Sequence, residues 1–350
     1  MDGARCASQA AVIADLLTAR RLLCASNLAY GVTADVRSPD DLAITPPVLL
    51  SREVIARLAA AVDFEPGSFC AHQSSSRAGI DAFLYGETDE SAILAFRGTL
   101  PARLVADRDR LDRIFADWLN NARAHLVAGD RIGVPGYVHE GYAQSLDALW
   151  WGAGGLGELL PRIRLAVAQG RRLLLTGHSK GGALAQLAAL RLAEGGHGRR
   201  PAAVHTFAAP RAGNHTFANA FEAVLAGSAW RFEFQDDLVP HLPPTEALWF
   251  AVRSALQGNE SSRAEGFGEG AWAALKARSQ AVGQIGSYES AGQLQFIDWE
   301  DHLRDGDTPA LRDERVLRLV RALALSLPEV SRAHLPMQGY GYMDFLERKA

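Results

Sequence analysis

Cysteine is scarce in this chain, and the little there is carries no pattern. Cys6, Cys24 and Cys70 are the three in 350 residues. An odd number without metal-ligand spacing argues against a disulfide framework and against a thiolate metal site, and makes a reducing compartment the default. Long apolar runs are missing as well: none approaches the ~20 residues needed to cross a bilayer. There is no excess of basic residues. Lys and Arg number 36 against 40 Asp and Glu, a formal net charge of −4, so the chain lacks the electrostatic footprint of a nucleic-acid binder. The layout of a secretory signal is absent too, because Asp2 and Asp15 bracket a short apolar patch and Arg20 and Arg21 lie behind it. That stretch is expected to be an amphipathic helix, and the protein to be cytoplasmic or exported without a classical signal peptide. Internal repeats and low-complexity linkers are lacking, so residues 1–350 are expected to form a single domain with insertions.

What is present is organised around one stretch. Leu173-Leu174-Leu175-Thr176 runs straight into Gly177-His178-Ser179-Lys180-Gly181, and Ala183 to Leu192 then reads as a strong helix former. Strand, tight turn and helix is the context that makes a Gly-x-Ser-x-Gly pentad a nucleophile elbow. The turn holds its serine in strained backbone geometry, and the new helix aims its first N–H groups at the place where an oxyanion would form.

Around this centre the remaining pattern alternates strands and helices. Residues 8–30 and 51–62 have helical spacing, and Ile80–Tyr85 and Ser91–Phe96 flank a hairpin turn. Strands are expected at Val204–Ala208, Trp230–Phe234 and Gly292–Asp298, with helices over 215–226 and 312–327. Alternation of this kind implies a mostly parallel sheet with helices on both faces, whose ligands bind at the carboxyl ends of strands. Between residues 101 and 121, Leu104, Leu111, Phe115 and Trp118 recur near a helical period, with charged residues filling the other face. This segment is either a surface helix packed on the core or a mobile amphipathic lid over an apolar cleft. A Gly-, Ser- and Glu-rich stretch at about 245–287 is expected to be an insertion.

Together these motifs resemble the fungal-type (class 3) lipases of the α/β-hydrolase fold. Phe96-Arg97-Gly98-Thr99 is similar to their strand-end Phe-Arg-Gly-Ser/Thr, and Val138-His139-Glu140-Gly141-Tyr142 to their His-x-Gly-Phe/Tyr. Thr206 to Asn214 resembles Thr-Phe-Gly-x-Pro-Arg-Val-Gly-Asn, and Asp237 to Pro244 resembles the family's acid motif. The likeness implies an α/β fold with a helical lid or cap, hydrolysis of acylglycerols or phospholipids through an acyl-serine, and no cofactor or metal. Its partners would be a lipid or other ester substrate and, through the lid, a transient lipid interface, with no nucleic acid and no transmembrane segment. A soluble esterase or thioesterase for small acyl groups, or a catalytically silent binding module, are the alternatives.

In chemical terms Ser179 needs a positioned base, and that base needs a carboxylate. Asp237 is the candidate acid, with Asp236 one residue earlier as its competitor. The base is His334 or His302; His334 follows the Gly292 strand at the spacing of the lipases' catalytic histidine, whereas His302 falls in the turn that ends the strand. The resemblance makes His178 a packing residue. Thr99 and the backbone N–H of Lys180 would form the oxyanion hole. Lys180 stands where the family has leucine, and its ammonium is expected either to snorkel to water or to face an anionic head group.

Overall fold

A computed structural model describes residues 16–44, 50–77, 79–99, 125–194, 200–243, 288–325, 330, 332–336 and 341–350. The expected lid at 101–121, with Trp118, and the insertion at 245–287 lie outside these residues.

The frame is an eight-stranded sheet whose order in space follows the chain. Its strands are β1 (Cys70–Ser76), β2 (Gly79–Glu87), β3 (Ser91–Phe96), β4 (Arg172–His178), β5 (Ala203–Phe207), β6 (Ala229–Phe234), β7 (Gln293–Ile297) and β8 (Leu303–Asp305). The five from β3 to β7 are parallel, and the pairs β1–β2, β2–β3 and β7–β8 are antiparallel. Parallel neighbours require crossovers, and among the described residues helices supply those that lead from β3 to β6. The chain runs through α1 (residues 16–28), α2 (Arg52–Val62), α3 (Glu140–Trp151), α4 (Leu156–Ala168), α5 (Lys180–Glu194), α6 (His215–Leu225), α7 (Pro309–Leu325) and α8 (Tyr342–Lys349). A second, four-stranded sheet gathers the short segments Leu126–Ala128, Tyr137–His139, Gly213–Asn214 and Tyr288–Glu289.

Period-two alternation divides the buried residues between two cores. Phe83, Tyr85, Leu94, Phe96, Leu173 and Leu175 face the side covered by α3, α4, α5 and α6. Ala82, Leu84, Ile93, Ala95 and Leu174 face the side covered by α1, α2 and α8. All six residues of β3 are buried, as are the last six of β4. That is why both strands read as unbroken apolar runs rather than alternating ones. The helix α5 is enclosed along nearly its whole length, from Lys180 to Leu192.

The hairpin expected at Ile80–Phe96 is present as β2 and β3, with Phe83 opposite Phe96 and Glu87 opposite Ala92. Helix α2 starts where its sequence says it should, because the Ser51 side chain accepts the Val54 N–H at 3.2 Å and caps the first turn. Strands β1 and β8 and helices α4 and α8 were not evident from periodicity. The sequence of β1, Cys-Ala-His-Gln-Ser-Ser-Ser, contains almost no apolar signal, and it pairs only at the edge of the sheet. Among the described residues no helix is long and apolar enough to cross a membrane.

Leu187, on α5, is fully enclosed in the core between helices and sheet. Leu187→Ala is expected to cost about 2–5 kcal/mol by leaving a cavity that close-packed neighbours cannot fill. A urea melt followed by circular dichroism checks this, and a midpoint equal to the parent's would show that the site collapses around the gap.

Candidate active site

Strand β4 ends at His178 and α5 begins at Lys180, so one residue, Ser179, makes the whole turn between them. Its φ is +56°, in the left-handed region that a serine rarely occupies. Two neighbouring glycines permit this turn by lacking a side chain. A Cβ on Gly177 would lie 2.1 Å from the Gly181 carbonyl oxygen, and one on Gly181 would lie 2.2 Å from the Phe96 carbonyl oxygen. The Ser179 N–H donates to the Phe207 carbonyl at 2.9 Å, which ties the turn to the end of β5 as well.

Asp237 follows the end of β6 and is buried. Its Oδ1 accepts the Val239 N–H at 3.0 Å, and its Oδ2 accepts the Tyr342 hydroxyl at 2.7 Å. His334, in a turn after α7, spans the gap between acid and serine. Its Nδ1 lies 3.0 and 3.1 Å from the two Asp237 oxygens, and its Nε2 lies 3.0 Å from Ser179 Oγ. A carboxylate against Nδ1 requires the proton there, which leaves the Nε2 lone pair to accept from the serine hydroxyl. Thus Ser179, Asp237 and His334 meet in one hydrogen-bonded chain at the carboxyl edge of the parallel strands. His302 does not join them: its side chain is 65% exposed and faces Asp298 and Glu300 at 3.8 and 3.6 Å. The carboxylate against His334 is that of Asp237, the residue after Asp236.

Three further side chains hold the arrangement, and sequence reasoning singled out only one of them. His178 packs its ring 4.8 Å from that of His334, centroid to centroid, but it also forms a bridge. His178 Nε2 lies 2.9 Å from the His334 carbonyl oxygen, and Nδ1 lies 2.8 Å from the Tyr30 hydroxyl. The carbonyl only accepts, so Nε2–H donates to it and Tyr30 donates to Nδ1. Burial, helped by the nearby His334, holds the His178 pKa well below the ordinary value, and the ring stays neutral. The Tyr342 hydroxyl donates a hydrogen bond to Asp237 and accepts the Phe234 N–H at 3.0 Å, and burial together with that carboxylate raises its pKa. Nothing in the spacing of Tyr30 or Tyr342 marks them, because each acts through a tertiary contact.

Thr99 is exposed at the end of β3, three residues past Phe96, which pairs with Gly177 of the elbow. Lys180 opens α5, so its N–H is among the helix donors that have no intrahelical acceptor. The Lys180 side chain departs from both expectations. It neither snorkels to water nor faces outward: Nζ lies 2.7 Å from Asp81 Oδ1, and both side chains are buried. The reason is local, since α5 is enclosed on all sides and β2 places a carboxylate within reach.

Residues 110–247 match the family model described as Lipase (class 3). A secreted mono- and diacylglycerol lipase 1 from Fusarium solani is 31% identical over 37% of this chain and 36% of its own length. Phospholipase A1-II 3 of Oryza sativa subsp. japonica is 25% identical over 63% of this chain and 56% of its own. The matches thus span from about a third to just over half the length of these relatives. Among solved structures, the native Rhizomucor miehei lipase propeptide complex superposes with a TM-score of 0.50 at 18% identity, covering 91% of this chain and 78% of that one. At that identity the likeness shows a shared fold.

The buried histidines carry a pH signature. Burial holds His139 down to about 4 and His205 and His241 to about 3, and depresses His178 in the same direction. An unfolded histidine takes up a proton near 6.5, so below that pH the unfolded chain binds more protons than the native one. Stability is therefore fully present above about pH 7 and falls as the pH drops, by up to ~1.4 kcal/mol per pH unit for each such histidine. Urea midpoints at pH 7.5, 6.0 and 5.0 should decline in that order, and His205→Gln should flatten the decline. A midpoint that does not move between pH 7.5 and 5.0 contradicts this account.

Proposed function

We propose that the chain, which matches the class 3 lipase family model over residues 110–247, is a serine carboxylic-ester hydrolase acting on acylglycerols or phospholipids. The observation that carries this is the bonded chain from Ser179 Oγ to His334 Nε2 at 3.0 Å and from Nδ1 to Asp237 at 3.0 and 3.1 Å, built on a strained elbow. In this reading Ser179 Oγ attacks the ester carbonyl while its proton passes to His334 Nε2. Asp237 steadies the imidazolium and keeps its ring in plane, and Tyr342 and the Val239 N–H hold the carboxylate in place. The tetrahedral oxyanion is met by Thr99 and the Lys180 N–H, at the positive end of α5. Collapse of that intermediate expels the alkoxide, which takes the proton back from Nε2. Water, deprotonated by the same nitrogen, then releases the acid from the acyl-serine. The acylglycerol and phospholipid classes are supported by what the two relatives are named for.

Hydrolysis of a panel of p-nitrophenyl esters, triacylglycerol emulsions and phospholipid vesicles tests this assignment. Ser179→Ala and His334→Ala are expected to lower kcat by about 10⁴-fold or more on every accepted substrate, and the double variant to be scarcely worse. His302→Ala should cost less than about tenfold, as an exposed residue off the chain of bonds should. Activity of Ser179→Ala within tenfold of the parent would sink the proposal. Interfacial action through residues 101–121 is the finer part of the reading and rests on their amphipathic pattern alone. It predicts a jump in rate when a short-chain ester passes from monomers to micelles, lost on deletion of the segment. Smooth saturation through the critical concentration would instead mark a small-ester hydrolase.

A further inference from the structure

A buried ion pair lies beside the proposed oxyanion hole, and the triad chemistry does not use it. Lys180 Nζ and Asp81 Oδ1 are 2.7 Å apart, with 11% and 4% of their side chains exposed. Asp81 Oδ2 is also buried and has no hydrogen-bond partner among the described residues. Burying such a pair is no route to stability, since an apolar pair of the same size does as well or better, and the resembled motif has leucine at this position. What an ion pair supplies is a fixed geometry.

The neighbours of Asp81 show what is being fixed. On one side the Ile80 carbonyl accepts from Arg97 Nη2 at 2.6 Å, and on the other the Ala82 carbonyl accepts the Arg97 N–H at 2.9 Å. Arg97 reaches the Val32 carbonyl as well. Two residues later comes Thr99, and the intervening Gly98 runs so close to the elbow that a Cβ there would lie 2.7 Å from the His178 carbonyl oxygen. Three consecutive residues of β2 therefore hold two things. Ile80 and Ala82 hold the strand end that leads to Thr99, and Asp81 holds the side chain of Lys180, the residue after the nucleophile.

We propose that the Asp81–Lys180 ion pair is a positioning device for the oxyanion hole, tying the Lys180 backbone donor to the same segment of β2 that fixes Thr99. This rests on the serine-hydrolase reading. The charges do not touch the substrate; they set the spacing between two donors that act only when the oxyanion forms. The effect belongs to kcat rather than to KM.

The experiment uses the full-length protein and p-nitrophenyl butyrate, with rates divided by the concentration of Ser179 titrated to completion with a fluorophosphonate. Asp81→Asn and Lys180→Met should each lower kcat by about 10–100-fold with KM within about twofold, and should weaken a reversible acyl trifluoromethyl ketone by a similar factor. Lys180→Arg, which keeps the pair, should stay within about fivefold of the parent. Thr99→Val should cost about 10²–10³-fold in the parent but less than about tenfold in Lys180→Met, because donors that share one anchor do not act independently. A change confined to KM, a loss that vanishes after normalisation, or costs for Thr99 and Lys180 that simply multiply would overturn the positioning role. If Ser179→Ala is as active as the parent, the hydrolase reading itself falls and this inference falls with it. If Ser179→Ala is dead but the ion-pair variants match the parent, the inference alone is wrong.

Discussion

Everything at the candidate site follows from how little room there is at the turn between β4 and α5. One residue makes the reversal, and it does so at a φ of +56°. The turn is possible because the backbone of Gly181 packs directly on the Phe96 carbonyl, where no side chain fits, and because the Ser179 N–H is bonded to Phe207. The serine is thus pinned by the ends of both neighbouring strands, β3 and β5. Strain of this order costs roughly 1–3 kcal/mol and persists only where the surroundings over-determine it. Here the surroundings are a parallel sheet with a packed core on each face, and α5 enclosed within one of them.

A fixed nucleophile needs partners that come to it, and these arrive from distant parts of the chain. The acid comes from the end of β6, two strands away from β4. It is a buried carboxylate whose two oxygens receive a backbone N–H, a phenol and the His334 ring. Together these donors satisfy the oxygens that burial takes away from water, as a buried carboxylate requires. Tyr342 does two things with one oxygen, because it accepts from Phe234 at the end of β6 while donating to Asp237. The strand end and the carboxylate are thereby held in one register. His334 sits on a turn rather than on a strand or a long helix, and its own carbonyl is held by His178, which Tyr30 orients in turn.

Which parts of this were legible in the sequence has a physical pattern. The elbow could be read because a steric constraint leaves glycines at fixed offsets beside an apolar strand. The hairpin, α2 and the central strands could be read because burial on both sides of a sheet imposes long apolar runs. Strand β1 could not, since a half-exposed edge strand built of Gln and Ser has no apolar period to detect. Lys180 was misjudged for a different reason: whether a lysine reaches water depends on what encloses it, and Asp81 lies almost a hundred residues away in sequence. Tyr30 and Tyr342 were silent because a hydrogen bond between distant segments leaves no local spacing. The choice between His334 and His302 was of the same kind, turning on where a chain returns after α7.

The stretch that matches the family model, residues 110–247, makes the same distinction from another direction. It contains the elbow, the acid and the strand between them. The base itself, His334, and two of the residues that hold the site, Tyr30 and Tyr342, lie outside it, Tyr30 on one side in sequence and the other two on the other. In space those outlying segments are neighbours. Tyr30 and Tyr342 belong to the same core, on the face of the sheet opposite α3 to α6. Asn27, just before Tyr30, lies 3.5 Å from the carbonyl of Pro336, two residues after His334. One face of the sheet therefore carries the packing that sets the nucleophile, through α5, while the other carries the polar contacts that aim the histidine at it. The two faces meet at His178, the elbow residue that takes the Tyr30 hydroxyl on one ring nitrogen and holds the His334 carbonyl with the other.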